Sequence, residues 1–152
     1  MDNGYSGNFF VVYDGSGYPF TTSYTAVNLT TGLPYRFYVV ASNINGDSIG
    51  SNIAIIYSCL IPSGLNTPIK TGTTTSSIAI SWNEPNPNGC PITGFAIYRD
   101  TGNNDPLTVQ VDPTIVSNQP SLIAYNITGL SPTSYTFRIK VRAFNADGYT
   151  DS

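Results

Sequence analysis

Two N-x-T tripeptides, Asn28-Leu29-Thr30 and Asn126-Ile127-Thr128, and a single pair of cysteines, Cys59 and Cys90, carry most of the covalent chemistry open to this 152-residue chain. Each tripeptide is an acceptor pattern for N-linked sugar. A third group is charged: Arg138, Lys140 and Arg142 hold half of the six Lys and Arg residues and alternate along one stretch, so they share one face of any strand formed there. Such a row is either a solvated sheet face or a surface for an anionic glycan or an acidic neighbour. The catalytic side of the inventory is sparse. There is no His, the commonest general base and metal ligand, and no G-x-S-x-G or Walker pattern. Two cysteines do not make a zinc site, and the nine Asp and Glu residues are scattered over turn-forming stretches. The expectation is therefore no catalytic residue, no metal and no cofactor.

Composition narrows the class further. Hydrophobic residues make up 40% and aromatics 12%, enough for a core, whereas charged residues are 10% against about 25% in an ordinary globular domain. Asn, Ser, Thr and Gly must keep the surface in solution, which suits a secreted or cell-surface protein. A net charge of -3 without a basic cluster excludes nucleic acid, whose phosphates need several converging Lys or Arg. No apolar run reaches the roughly 18 residues of a membrane span. The opening "MDNGYSGN" has neither the basic end nor the apolar segment of a signal peptide, so a secreted form would have its N-terminus elsewhere.

The elements that must position these groups are strands. Ile78, Ile80 and Trp82 alternate with polar residues in "SIAISWN". Tyr135, Phe137, Ile139, Val141 and Ala143 share one face of "YTFRIKVRAF", opposite Arg138, Lys140 and Arg142, and "YRFYVVAS" places Tyr35, Phe37, Val39 and Ala41 together. Turns rich in Pro, Gly and Asn, such as "NEPNPNG" and "DGSGYP", separate them. No stretch sustains a helical period, so the chain reads as an all-β sandwich. It also matches itself: Asn3-Gly4 and Tyr13 fall on Asn88-Gly89 and Tyr98, Asn28-Leu29-Thr30 on Asn126-Ile127-Thr128, and Ala41-Ser42-Asn43 on Ala143-Phe144-Asn145.

"SIAISWNEPNPNGCPITGFAIYRD", "YNITGLSPTSYTF" and "VRAFNADG" together resemble the fibronectin type III family: a strand B Trp, the Pro that ends it, N-G before strand C, the L-x-P-x-x-Y corner and A-x-N-x-x-G after strand F. The resemblance implies two fibronectin type III-like β-sandwich modules in tandem. The first, 1–58, has strands C to G and lacks A and B; a linker follows at 59–61; the second, 62–152, has A to F and lacks G. It makes Trp82 a core residue and Tyr35 and Tyr135 the corner tyrosines. Tyr135 to Asn145 is two residues longer than Tyr35 to Asn43, which suggests an added pair in strand F. In that fold Cys59 and Cys90 lie at one pole. A bond between them would close a loop of about 30 residues, worth on the order of 3 kcal/mol in the chain-entropy model, the alternative being two free thiols. Alternation sends Asn28 and Asn126 to solvent, with Val27, Leu29, Tyr125 and Ile127 inward.

The function expected from all this is a non-catalytic extracellular structural or adhesive tandem module, glycosylated, in which neighbouring repeats or other copies of the chain complete the open sandwich, the latter by strand exchange into a filament. Partners are then other copies or flanking repeats, glycans and cell-surface proteins. Two alternatives are an accessory or carbohydrate-binding spacer of a larger secreted enzyme, and an intracellular scaffold of the giant muscle-protein kind. Arg99-Asp100 is followed by Thr101, so there is no R-G-D and the family's integrin-type adhesion does not carry over.

Overall fold

The computed structural model describes residues 1–130 and 136–152. By contact it falls into two units, Met1–Cys59 and Leu60–Ser152, each taken here by itself.

In the first unit the strands are Pro34–Phe37 (β1), Ser42–Asn43 (β2), Gly46–Asp47 (β3) and Ala54–Tyr57 (β4). β1 and β4 pair antiparallel, with Tyr35 opposite Ile56 and Phe37 opposite Ala54. The hairpin between them turns at Asn43, whose Oδ1 accepts the Asn45 N–H at 2.8 Å, a side-chain turn that asparagine favours. Gly46, at φ +122°, takes a conformation in which a side chain would be strained. Between hairpin and ladder, serine hydroxyls substitute for main-chain carbonyls. Val39 N–H donates to Ser51 Oγ and Ala41 N–H to Ser48 Oγ, both at 3.0 Å.

The expected strands C, C' and E of this unit do not form, since no strand is assigned anywhere in residues 1–33. In the apolar run Phe9–Val12, Phe10 exchanges main-chain bonds with Met1, and the Phe9 ring packs edge-on against Tyr38 at 4.8 Å with the Arg36 guanidinium over it. A strand exists by virtue of a neighbour that satisfies its N–H and C=O groups, and among the described residues no strand pairs with this run. Asp2, Gly4 and Tyr35 are the buried residues of the unit. Val27, expected inward, and the inner-face residues Val39 and Ala41 are exposed.

The second unit is a two-layer sandwich. Its elements are Ile69–Thr73 (β5), Ile78–Ser81 (β6), Gly94–Arg99 (β7), Val109–Val111 (β8), one helical turn Pro113–Val116 (α1), Ala124–Ile127 (β9), Ile139–Phe144 (β10) and Tyr149–Asp151 (β11). One sheet runs β5-β6-β9 and the other β11-β10-β7-β8. Alternation fills the space between them: Ile80 and Trp82 from one layer meet Phe95, Ile97, Val141 and Ala143 from the other, with Ile127, Val116 and Leu130 closing the core. Gly94 is required by packing, because a Cβ there would lie 2.6 Å from the Asn118 main-chain nitrogen.

The expectation that this unit lacks a strand beyond F is corrected. Tyr149–Asp151 turns back at Gly148 and pairs with β10, Arg142 opposite Asp151 and Phe144 opposite Tyr149. Ser152 N–H continues the ladder to Val141 O at 2.9 Å. The tight turn makes the return short enough for these few residues to reach the sheet.

The contrast between the units is measurable through Trp82, the chain's single tryptophan, which sits in the core of the second unit. Ile97→Ala is expected to lower the denaturant stability read by Trp82 fluorescence by about 2–5 kcal/mol, as for buried aliphatic truncations generally. Val39→Ala is expected to leave it within about 0.5 kcal/mol, as for exposed positions.

Candidate functional site

Two corners of the chain bury a carboxylate against an arginine. At the end of β7, Asp100 Oδ1 accepts the Gly102 and Arg138 main-chain N–H groups, each at 3.1 Å, and Oδ2 accepts Arg138 Nε at 2.9 Å. Asp100 N–H donates in turn to Arg138 O, and Arg138 Nη2 reaches Asp105 O. The first unit repeats the arrangement: Asp2 Oδ1 accepts Gly4 N–H at 3.1 Å and Arg36 N–H at 3.0 Å, Oδ2 accepts Arg36 Nε at 2.7 Å, and Arg36 Nη2 donates to Gly7 O at 2.7 Å. Both carboxylates are fully shielded from solvent. Glycine stands two residues on in both cases, at φ +81° and +95°, which lets its N–H turn back onto the carboxylate.

These bonds offer a match between the units that differs from the self-comparison of the sequence. The self-comparison set Asn3-Gly4 on Asn88-Gly89, whereas hydrogen bonding matches Asp2–Gly4 to Asp100–Gly102. Arg36 likewise matches Arg138, and Val39, which pairs with Ser51, matches Val141, which pairs with Ser152 through the same two bonds. Counted from these arginines, Tyr35 stands one residue before Arg36 as Phe137 stands one before Arg138. Tyr35 is buried and its hydroxyl accepts Thr30 N–H at 2.9 Å; Phe137 has no hydroxyl and packs partly buried against the core. Tyr135 lies outside the described residues.

The row Arg138, Lys140 and Arg142 is not an open cationic face. Arg138 is spent on Asp100, while Lys140 Nζ at 2.8 Å and Arg142 Nε at 2.6 Å share Asp151. The Arg142 guanidinium also lies 3.7 Å from the Tyr149 ring centre and 5.2 Å from that of Tyr98, a stacked arrangement that favours the cation. The Arg142 hydrogen bonds hold the Asp151 carboxyl down at about 2 against the effect of its burial. Sequence reasoning could not assign these partners, because Asp151 reaches the row only through β11.

At the pole of the second unit, asparagines act as clamps. Asn145 Nδ2 donates to Leu60 O at 2.8 Å and Pro87 O at 3.0 Å, and its Oδ1 accepts Asp147 and Gly148 N–H. Asn88 Nδ2 donates to Ile61 O at 2.7 Å and Ser63 Oγ at 3.0 Å. Neither cysteine is free: Cys59 and the buried Cys90 are both disulfide-bonded. Asn28 and Asn126 are both exposed. Asn126 lies in β9 opposite Ala79, with Ile127 buried beside it, while Asn28 sits in a bend at φ +58°. Among the described residues no group of His, Cys, Asp and Glu could hold a metal ion, and no helix is long and apolar enough to cross a membrane.

The corners make stability acid-sensitive in a defined window. Main-chain donation from Arg36 leads the bonds that hold Asp2 at about 2, below its ordinary 3.8. For Asp100, burial pushes the carboxyl up, but the Arg138 and Gly102 bonds outweigh it and leave it lowered. A depressed carboxylate contributes stability that is present above its unfolded pKa and lost as pH falls through the folded one. Unfolding temperature is thus expected to fall between pH 3.8 and about 2. Asp100→Asn should be less stable at neutral pH and show a shallower acid decline in the Trp82-monitored transition.

A family model for the Fibronectin type III domain matches residues 62–152. Usherin of Rattus norvegicus is 26% identical over 163 aligned residues, covering 96% of this chain and 3% of that protein. The crystal structure of the chicken CNTN1 FN1–FN3 domains is 25% identical, covers 85% of this chain and 43% of that one, and superposes with a TM-score of 0.47. The chain thus spans a small part of usherin's length and less than half of the solved structure. With the family's own match taking in more than half of its residues, the chain belongs to the fibronectin type III family.

Proposed function

We propose that the chain is a non-catalytic structural and adhesive segment of an extracellular or cell-surface protein, built from two fibronectin type III copies in tandem and carrying N-linked sugar at Asn28 and Asn126. The observation that carries this reading is the oxidised state of both cysteines, since disulfides persist in secreted proteins and are rare in the cytosol. A Cys59 to Cys90 bond fastens the segment before β5 to the loop between β6 and β7. The two sequons support it: each is exposed, and each asparagine lies 26 residues after its corner aspartate, Asn28 after Asp2 and Asn126 after Asp100. The low share of charge, 10%, fits a surface kept in solution by amides, hydroxyls and glycans.

The tandem reading rests on hydrogen bonds and not on apolar pattern alone. The Asp2/Arg36 and Asp100/Arg138 corners and the Val39/Ser51 and Val141/Ser152 pairings are the same bonds made twice. Assembly into a filament by strand exchange would run through β1, because the corresponding edge of β10 is taken by β7 and its other edge by β11.

Mass analysis of the natively sourced protein, intact and after non-reducing digestion, tests the proposal. The expected result is a Cys59–Cys90 cross-linked peptide with glycan on Asn28 and Asn126; free thiols together with bare asparagines would remove the extracellular reading.

A further inference from the structure

The two copies differ in what lies over one face. Val141 is fully buried, whereas Val39, which makes the same bonds to a serine, is 72% exposed. Ala143 is buried and Ala41 exposed. β10 has β7 along one edge, while β1 has β4 as its one strand partner and no strand on the opposite edge among the described residues. Asn145 spends both amide hydrogens on the carbonyls of Leu60 and Pro87; Asn43 uses its Oδ1 in the same turn but is exposed. The corner that ends a C strand is nevertheless made in both copies. The first unit thus presents a preorganised acceptor, with a strand edge, an apolar face and an amide donor in the geometry that the second unit fills.

We propose that this surface of the first unit, the open edge beside Tyr38–Ala41 with the face of Phe37, Val39 and Ile56, docks a fibronectin-type strand layer of the β5–β6–β7 kind. The inference rests on reading the two units as copies. Three features define the occupant. Its edge strand pairs antiparallel with the chain at Tyr38–Ser42, as β7 pairs with β10, and alternates apolar residues as Phe95 and Ile97 do. Its facing strand brings bulky apolar groups such as Ile80 and Trp82 onto Val39 and Ala41. Two main-chain carbonyls at its pole accept the Asn43 amide. The face carries no charged side chain, which excludes an anionic ligand. A second copy of the same face would offer another Asn43 amide where carbonyls are needed.

The probe is the full chain with residues 60–98 of this same sequence joined ahead of Met1, the added copy carrying Cys90→Ser. Hydrogen exchange at the Tyr38 and Val40 amides and hydrophobic dye binding are compared with the parent chain. Exchange is expected to slow by at least about 100-fold, as when an edge joins a cooperative ladder, and dye binding to fall. Both effects should be lost when the added copy carries Trp82→Asp. In the parent chain Val39→Asp should be neutral, whereas in the extended chain it should restore fast exchange. Exchange at Tyr38 and Val40 that is as fast in the extended chain as in the parent, with the Arg142 amide still protected, overturns the proposal. So does a parent chain that sediments as a dimer with those amides already protected, which would assign the face to a second copy. Neither readout depends on glycan or thiol state, so this proposal and the extracellular reading fail separately.

Discussion

An ionised carboxylate removed from water costs several kcal/mol unless its lone pairs are met by fixed donors. Asp100 is fully shielded and met by three N–H groups, two of them from the main chain. Those bonds tolerate one geometry only. They fix where β7 ends, how the chain turns at Gly102 and which residue of β10 lies beside it. A slip of one residue between β7 and β10 would strand the carboxylate and turn Lys140 and Arg142 into the core in place of Val141 and Ala143. The register of the larger sheet, and with it the apolar face that Ile80 and Trp82 pack against, follows from this corner.

The same economy runs through the rest of the polar chemistry. With so few charges available, four of the six basic side chains, Arg36, Arg138, Lys140 and Arg142, are paired with just three aspartates. Amides and hydroxyls do the remaining joining: Asn145 and Asn88 hold the incoming chain to the loop after β6, and serines stand in for carbonyls at Val39 and Ala41, past the end of β1. A surface freed of charge in this way is poorly placed to repel neighbours, and bulky sugar on exposed asparagines is one means of keeping such a surface in solution.

What could be read from the sequence was whatever is encoded at short range. Alternation in "SIAISW" and "RIKVRAF" located β6 and β10 and the faces of Ile80, Trp82, Val141 and Ala143, and the A-x-N-x-x-G motif located the turn at Asn145. What could not be read depended on distant partners. Asp2 and Asp100 look like ordinary turn residues until Arg36 and Arg138 are brought to them, 34 and 38 residues along the chain. Asp151 was invisible as a counter-ion because its strand was not expected. N-G dipeptides suit many turns, so Asn3-Gly4 resembles Asn88-Gly89 by residue type, whereas the bonds made by Asp2 are those made by Asp100.

The first unit separates two contributions that the second unit blends. Its corner, its tyrosine bond to Thr30 and its serine-laced ribbon are all made, although Val39 and Ala41 face solvent. Hydrogen bonds therefore specify the shape of the ribbon before any layer covers it, whereas burial of the apolar face supplies the stabilisation, roughly 1.5–3 kcal/mol for each large aliphatic or aromatic side chain. Without that burial the run Phe9–Val12 does not become a strand, although it is apolar throughout and β8 is not. A ladder such as β1–β4 can thus form on hydrogen bonds alone, but a sandwich of this kind is stable only when both layers are present, whichever polypeptide segment provides the second.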